Sequence, residues 1–330
     1  MDHKQSVFSI PSTYARGMKE QPRYKWWKPI VAVLLAFVLV IAFFLVLGII
    51  VLVAGAAIGS ITAQDFTQLA DGTYTLSNID LTGESSDSYL GIEGDDAAGL
   101  AGAFISVIIM IPAMWLSCKI LGLGKLGRFS SVEGKLRWRR IAATFPWALL
   151  VAVVFAAISI GITFAVDGTI GEVRFPLAAL IVIIILCPLQ CAAEEYVFRG
   201  FLMQTFASWI PAVIIPLILQ AVFFGIAHTY SILGVIGVAI TGLFTGYLAL
   251  KIGGIEASIC MHTANNYLSF IMGAVIVAQE TQSTVSAVDF GIDVLLQIAF
   301  LVVIYLVCSR KGFLLSDDND TKAQVPEACE

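Results

Sequence analysis

Long apolar segments, separated by shorter polar ones, occupy most of this chain. Several of them reach the roughly 20 residues that a helix needs to cross about 30 Å of hydrocarbon. Because the bilayer interior offers no water to backbone polar groups, these segments are expected to be helical. The pattern predicts an all-α fold, a polytopic integral membrane helical bundle with about eight transmembrane helices. The apolar segments fall near 30–58, 97–118, 143–165, 176–199, 210–229, 233–251, 255–278 and 288–309.

The composition agrees with a bilayer as the solvent. Hydrophobic residues make up 58% of the chain and charged residues only 13%, and the mean hydropathy is +0.90. These values exclude an ordinary soluble globular domain. The first apolar segment is also far longer than the roughly 7–15 residues of a signal-peptide core, so it is interpreted as a retained membrane span.

The distribution of charge predicts the orientation in the membrane. Residues 1–28 carry six Lys and Arg, and residues 119–140 carry seven against one acid, Glu133. Residues 59–96 carry eight acids and no Lys or Arg. By the positive-inside rule both basic segments, and both termini, are expected in the cytoplasm, with the acidic loop outside. A bacterial plasma membrane is the expected location.

The chain is expected to form one membrane domain that divides into five regions. The last region is acidic, has almost nothing to bury, and is expected to be disordered. The regions are a cytoplasmic N-terminal arm (1–29), N-terminal transmembrane helices that include the acidic outer loop 59–96 (30–175), catalytic core helices (176–272), a C-terminal transmembrane helix region (273–315) and the tail (316–330).

Charged and imidazole side chains are costly inside a membrane, so each one within a span requires a reason. The first group is Glu194, Glu195 and Arg199, at the end of the fourth segment. On a helix, Glu195 and Arg199 are an i,i+4 pair that can neutralise each other, while Glu194 points elsewhere and is expected to be free. A free carboxylate in a low-dielectric site suits a general base or acid. The alternative is a charge cluster that anchors a helix end at the interface.

Two further groups follow on the next hydrophobic segments. Phe224 and His228 share one helical face, as do His262 and Asn266. His262 and Asn266 can both donate hydrogen bonds to one point, which is what a developing oxyanion requires. The alternatives are an interfacial or hydrogen-bonded histidine at 228 and polar packing between helices at 262 and 266. His3 lies in the polar N-terminal arm and is interpreted as incidental.

The ordered set Glu194-Glu195-x-x-x-Arg199, Phe224-x-x-x-His228 and His262-x-x-x-Asn266 resembles the signature of CAAX-protease and bacteriocin-processing (CPBP, or Abi) membrane proteins. The resemblance covers about 176–272. It implies that Glu194 and His228 activate a water, that His262 and Asn266 form the oxyanion site, and that Glu195, Arg199 and Phe224 support them.

The resemblance also implies partners and cofactors. The implied activity is an intramembrane endopeptidase acting on membrane-anchored peptides or proteins, by CAAX-type cleavage or bacteriocin or leader-peptide processing. No cofactor is expected to be required, and no nucleic acid partner is expected. If a zinc ion binds, Glu194, His228 and His262 are the expected ligands. The alternatives are a non-catalytic immunity or scaffold protein and an ion-coupled transporter. The sequence does not specify the oligomeric state.

One feature of the span pattern conflicts with this site. Straight helices would place Glu194 near the cytoplasmic end of its span and His228 near the outer face. We therefore predict a kinked or partly re-entrant arrangement around residues 188–216, where Pro188, Pro211 and Pro216 lie. Glu256 and Asp293 lie nearer to span ends and are expected at the interface, with no chemical role.

Overall fold

The computed structural model describes residues 10–57, 97–228, 230–277 and 287–315. The acidic loop 59–96 and the tail 316–330, predicted to be outside and disordered respectively, lie outside the described residues. The described helices are α1 (Lys28–Ala57), α2 (Ala97–Ile108), α3 (Met110–Leu121), α4 (Leu126–Ser130), α5 (Trp138–Asp167), α6 (Leu177–Glu195), a π-helical segment (Tyr196–Leu202), α7 (Met203–Trp209), α8 (Ile214–Ile226), α9 (Ile232–Ile252), α10 (Glu256–Val275) and α11 (Ala287–Arg310).

Each apolar segment predicted from the sequence contains a helix in the residues that the structure describes, which confirms the fold class of a polytopic helical membrane protein. The number of spans differs from the predicted eight. Within the described residues, six helical segments are long and apolar enough to cross a membrane: α1, α2 with α3, α5, α6 through α7, α9 and α11. Helix α8 has only 13 residues, about 20 Å of helix. Helix α10 has 20 residues, but the polar side chains of the third motif interrupt its apolar surface.

Several helices meet at one end of the bundle, which we call the basic end and define by Lys28, Leu121, Arg140, Ile252 and Phe313. The ammonium group of Lys28 donates to the carbonyl oxygen of Leu121 at 2.7 Å and so joins the start of α1 to the end of α3. The Arg140 guanidinium donates to the carbonyl oxygens of Ile252 (2.9 Å) and Phe313 (3.0 Å). Cations near helix C-termini offset the partial negative charge there.

The opposite end of the bundle is closed by a short antiparallel pair of strands. Strand β1 (Glu172–Val173) pairs with β2 (Ile276–Val277), with Glu172 opposite Val277 and Val173 opposite Ile276. This pairing ties the connection between α5 and α6 to the segment that leaves α10.

The expectation that Glu256 lies at the interface is wrong. Its side chain is fully buried, and its two carboxylate oxygens accept hydrogen bonds from Nε (2.8 Å) and Nη2 (2.7 Å) of Arg137. The same guanidinium group donates to the carbonyl oxygens of Ile252 and Gly253, at the end of α9. Residues 122–137 fold over the turn between α9 and α10, so the pair is enclosed rather than exposed at a helix end.

The predicted irregularity around residues 188–216 is present, and it removes the conflict in depth. Helix α6 continues through the π-helical segment into α7, which ends at Trp209, and α8 begins only at Ile214. At about 1.5 Å per residue, Glu194 lies about 22 Å from Trp209 and His228 about 21 Å from Ile214. Because these two helix ends are joined by a short connection, Glu194 and His228 lie at a similar level along the bundle.

Candidate active site

The first motif (Glu194, Glu195 and Arg199) and the third motif (His262 and Asn266) meet in the interior of the bundle. The carboxylate of Glu195 forms the predicted i,i+4 ion pair with Arg199, with 3.2 Å between Oε1 and Nη1, and both side chains have 0% exposure. The same carboxylate oxygen lies 2.9 Å from Nδ1 of His262 on α10. Since the pair is buried and bonded to a second helix, it is not the interfacial charge cluster considered as the alternative.

Glu194 is not free, contrary to the expectation from its helical position. Its Oε1 accepts a hydrogen bond from Nε2 of Gln190 at 2.6 Å. Its Oε2 lies 3.4 Å from Nε2 of His262. The residue is 8% exposed, so the carboxylate is held between α6 and α10 in a nearly dry environment. The helical pattern shows only that Glu194 and Glu195 diverge on α6, and it does not show which residues on other helices each one meets.

His262 lies between the two carboxylates. Its Nδ1 faces Glu195 and its Nε2 faces Glu194, so both ring nitrogens are directed at hydrogen-bond acceptors. The contact of Nδ1 with Glu195 at 2.9 Å is a hydrogen bond, whereas the 3.4 Å contact of Nε2 with Glu194 Oε2 does not have hydrogen-bond geometry. In this resting geometry both ring nitrogens lie against carboxylates, rather than toward an open position as oxyanion donation requires.

Phe224, which belongs to the second motif with His228, contacts residues of the other two motifs. The guanidinium carbon of Arg199 lies 4.1 Å from the centre of the Phe224 ring, a cation–π contact that helps to hold a buried cation. The centres of the His228 and His262 rings lie 4.9 Å and 5.6 Å from the Phe224 ring, both edge-on. The Phe198 ring packs edge-on against Phe224 at 4.9 Å. The three motifs therefore converge around one aromatic side chain.

His228, like Asn266, is only partly buried, whereas Glu194, Glu195, Arg199, Phe224 and His262 are buried. Its Nδ1 lies 2.7 Å from the carbonyl oxygen of Phe224. Because a carbonyl oxygen only accepts, we assign the ring proton to Nδ1, which leaves Nε2 as an acceptor. Among the described residues, no hydrogen bond connects His228 to Glu194 or His262, and the Phe224 ring packs against both histidines.

Asn266 is connected to Glu194 through Gln190, a residue that the sequence analysis did not identify. The Nδ2 of Asn266 donates to Oε1 of Gln190 at 3.3 Å, and its Oδ1 accepts from Nδ2 of Asn265 at 3.3 Å. Gln190 could have been found, because it is a polar residue in an apolar segment and lies one turn before Glu194 on the same helical face.

The residues named for zinc do not form a metal site here. In the part of the chain that the structure describes, no group of three His, Cys, Asp or Glu side chains is placed to hold a metal ion. Glu194 and His262 are close, but both nitrogens of His262 already face carboxylates. The nearby Arg199 guanidinium adds positive charge to the same cluster. The arrangement does not fit a zinc ion, and no step below uses one.

Comparison with known families bears on the same region. Residues 176–268 match the model of the family described as type II CAAX prenyl endopeptidase Rce1-like. The matched range contains all three motifs and agrees with the range of the predicted resemblance. The resemblance to CAAX-type membrane proteases is therefore confirmed.

A curated relative is the uncharacterized protein YyaK of Bacillus subtilis (strain 168). It is 26% identical over 181 residues, which cover 52% of this chain and 60% of the relative. The chain thus spans less than two thirds of the length of that relative. No solved structure matches this chain.

Proposed function

We propose that this integral membrane protein is an intramembrane endopeptidase that hydrolyses a peptide bond in membrane-associated proteins or peptides. One observation carries the proposal. Glu194 is buried beside His262 and Gln190, within the residues that match a CAAX endopeptidase family. Burying a carboxylate in a membrane helix costs free energy, so a residue of this kind is expected to serve a function.

In the proposed reaction Glu194 acts as the general base. A water molecule adds its oxygen to the carbon of the scissile carbonyl group, and Glu194 accepts one proton from that water. The carbonyl π electrons move to oxygen and form a tetrahedral oxyanion. General-base catalysis of this kind accelerates a reaction by about 10²–10⁴-fold.

His228 is proposed to hold the attacking water. With its proton on Nδ1, bonded to the Phe224 carbonyl oxygen, the ring can accept a hydrogen bond from water at Nε2. The partial exposure of His228 suits a group that meets water and substrate. The edge-on packing on Phe224 fixes the plane of the ring.

Asn266 and His262 are proposed to stabilise the oxyanion by donating hydrogen bonds. Asn266 has a second Nδ2 hydrogen beyond the one that it donates to Gln190. As Glu194 takes up the proton and loses its negative charge, the Nε2 side of His262, 3.4 Å from Glu194 Oε2, becomes available to donate to the oxyanion without a change in the ring plane. Glu194 then returns the proton to the leaving nitrogen, the C–N bond breaks, and an amine and a carboxyl group are released.

Glu195, Arg199 and Phe224 are proposed to support this site rather than to touch the substrate. The Glu195 carboxylate faces Nδ1 of His262 and Arg199, so it fixes the imidazole plane and offsets the guanidinium charge. Phe224 shields the pair from water. This assignment leaves Glu194, His228, His262 and Asn266 as the groups that meet the reacting atoms.

The proposed substrate class is a membrane-anchored peptide or protein, cleaved in a CAAX-type reaction or as a leader peptide. The basic end is proposed to face the cytoplasm of a bacterial cell, with both termini on that side, because it carries the Lys and Arg of the connecting segments. Catalysis is proposed to need no metal.

The test uses the full-length protein reconstituted in lipid vesicles. It is incubated with a pooled library of membrane-anchored peptides that includes prenylated C-terminal peptides and leader peptides, and products are identified by mass spectrometry. Glu194→Gln, which keeps the shape of the side chain and removes its basicity, is compared with Glu172→Gln. Glu172 is an exposed residue paired with Arg174 at the opposite end of the bundle.

We expect the parent protein to cleave at least one peptide, Glu194→Gln to lower that rate by about 10²–10⁴-fold, and Glu172→Gln to match the parent. A Glu194→Gln variant that cleaves as fast as the parent would exclude the proposed base. A parent that cleaves nothing across the library would overturn the endopeptidase proposal and favour an immunity or scaffold role.

A further inference from the structure

We infer that Gln190 is a positioning residue, whose amide group fixes Glu194 and Asn266 relative to each other. This inference rests on the proposed function and deepens it. Gln190 lies outside the three motifs and one helical turn before Glu194. It is the group through which the side chain of Asn266, on α10, is connected to the carboxylate of Glu194, on α6.

The direction of the Gln190 amide is set by its partners. A carboxylate only accepts hydrogen bonds, so the contact of 2.6 Å with Glu194 Oε1 must come from the NH₂ end of the amide. The oxygen end then points the other way. It accepts from Asn266 Nδ2 at 3.3 Å and from the Cys191 thiol at 3.3 Å. Both ends of the amide are therefore engaged in one orientation.

This orientation determines what Asn266 can do. With Nδ2 held toward Gln190 and Oδ1 accepting from Asn265, the Asn266 amide cannot rotate by half a turn without losing both bonds. One hydrogen on Nδ2 is used by Gln190, and the other stays available to an oxyanion. A reversed amide would present an oxygen acceptor to a negatively charged oxygen, which would be repulsive.

The chain of hydrogen bonds continues to the last helix. Nε2 of Gln297, on α11, donates to Asn265 Oδ1 at 2.8 Å and to Asp293 Oδ1 at 3.2 Å. Three helices are thus connected by successive side-chain amides, with Glu194 at one end and Asp293 at the other. Two buried oxygens at the ends of this network, Oε1 of Gln297 and Oε2 of Glu194, have no hydrogen-bond partner, so the amides between them are the satisfied part of the network.

The burial of Gln190 supports a positioning role. The side chain is 7% exposed, and the buried residues of α6 that precede Glu194 are otherwise apolar or sulfur-containing, including Ile183, Cys187 and Cys191. An apolar residue would pack there without the desolvation cost of an amide. The amide instead forms hydrogen bonds with two proposed site residues, Glu194 and Asn266. These bonds explain why a polar residue, and not an apolar one, is buried at this position.

The test compares Gln190→Met with Gln204→Met in the reconstituted full-length protein. Methionine keeps the length and volume of glutamine and removes its hydrogen bonds. Gln204 is a matched control, because it lies further along the same continuous helix, is fully buried, and donates to the carbonyl oxygen of Arg128, away from the site.

For Gln190→Met we expect kcat to fall by about 10²-fold while KM changes by less than about threefold, since the loss is in the transition state and not in substrate binding. For Gln204→Met we expect a lower thermal unfolding midpoint with kcat and KM unchanged. A parental kcat in Gln190→Met would overturn the inference, as would an equal loss of kcat in both variants.

A double-mutant cycle separates positioning from a general structural role. If Gln190 acts through Asn266, the kcat of the Gln190→Met, Asn266→Ala double variant should be close to that of Asn266→Ala alone. If the two losses multiply, Gln190 does not act through Asn266 and the inference fails.

A second cycle does not depend on activity. Thermal unfolding of the parent, Gln190→Met, Glu194→Gln and the double variant should give non-additive shifts of the midpoint, because both single changes alter the same hydrogen bond. Additive shifts would overturn the inference even if the parent cleaves substrate. Non-additive shifts with a parent that cleaves nothing would support the hydrogen bond between Gln190 and Glu194. They would overturn the proposed function and the positioning role in catalysis that we assign to Gln190.

Discussion

The hydroxyl group of Tyr267 on α10 donates a hydrogen bond to the carbonyl oxygen of Ile184 on α6, at 2.7 Å. This is the carbonyl that an α-helix would normally bond to the backbone N–H of residue 188. Residue 188 is a proline inside α6, which has no N–H to donate. Tyr267 therefore satisfies the backbone group that Pro188 leaves without a helical partner, one and a half turns from Glu194.

Replacing Tyr267 by Phe should lower the free energy of unfolding by about 1 kcal/mol, because the carbonyl oxygen of Ile184 would lose its donor. The measurement is thermal unfolding in detergent. In a Pro188→Ala background the helix can supply its own N–H, so the same Tyr267→Phe change should cost clearly less. Equal costs in both backgrounds would contradict this account.

Replacing Glu256 by Gln should destabilise the protein by about 3 kcal/mol, because the buried Arg137 guanidinium then keeps only the half-exposed Glu133, at 3.4 Å, as a charged partner. Thermal unfolding measures the loss. The matched control is Glu172→Gln, where the carboxylate is exposed and its pair with Arg174 is at the surface. That change should stay within about 0.5 kcal/mol of the parent. A Glu256→Gln variant as stable as the control would contradict the prediction.

The two motif histidines should respond differently to replacement by alanine. His228→Ala should lower the cleavage rate by about 10²–10⁴-fold with a small change in stability, because this side chain is partly exposed and its hydrogen bond goes to a backbone oxygen. His262→Ala should reduce both activity and stability, since it leaves two buried carboxylates without their shared partner. Peptide cleavage and thermal unfolding, measured on the same preparations, distinguish the two patterns. Equal losses of stability in both variants would argue against the assigned environments.

Removal of metal ions should leave the cleavage rate unchanged. Both nitrogens of His262 face carboxylates, and the adjacent Arg199 supplies positive charge that a cation would otherwise provide. The measurement is peptide cleavage after dialysis against a strong zinc chelator, with a known zinc protease as the positive control. A loss of activity that added zinc restores would show that the site binds a metal when it works.

Contacts within one helix were predictable from the sequence, and contacts between helices were not. The pairing of Glu195 with Arg199 follows from helical spacing alone, and it is present. The pairing of Gln190 with Glu194 has the same spacing and was open to the same reasoning. Helical spacing cannot show that α10 brings His262 against Glu194 or Asn266 against Gln190.

Apolar patterning by itself determined that the chain is a helical membrane protein, since the bilayer admits few other solutions for such segments. The ordered motifs determined where its chemistry is concentrated. Only the tertiary structure decided that α8 is a short helix, that Glu194 and His228 lie at a similar level along the bundle, and that Glu256 is buried against Arg137. These features depend on where each helix ends and which neighbour it meets. Hydrophobicity sets the burial of a segment but not its partners, so helix packing fixed the geometry of the site.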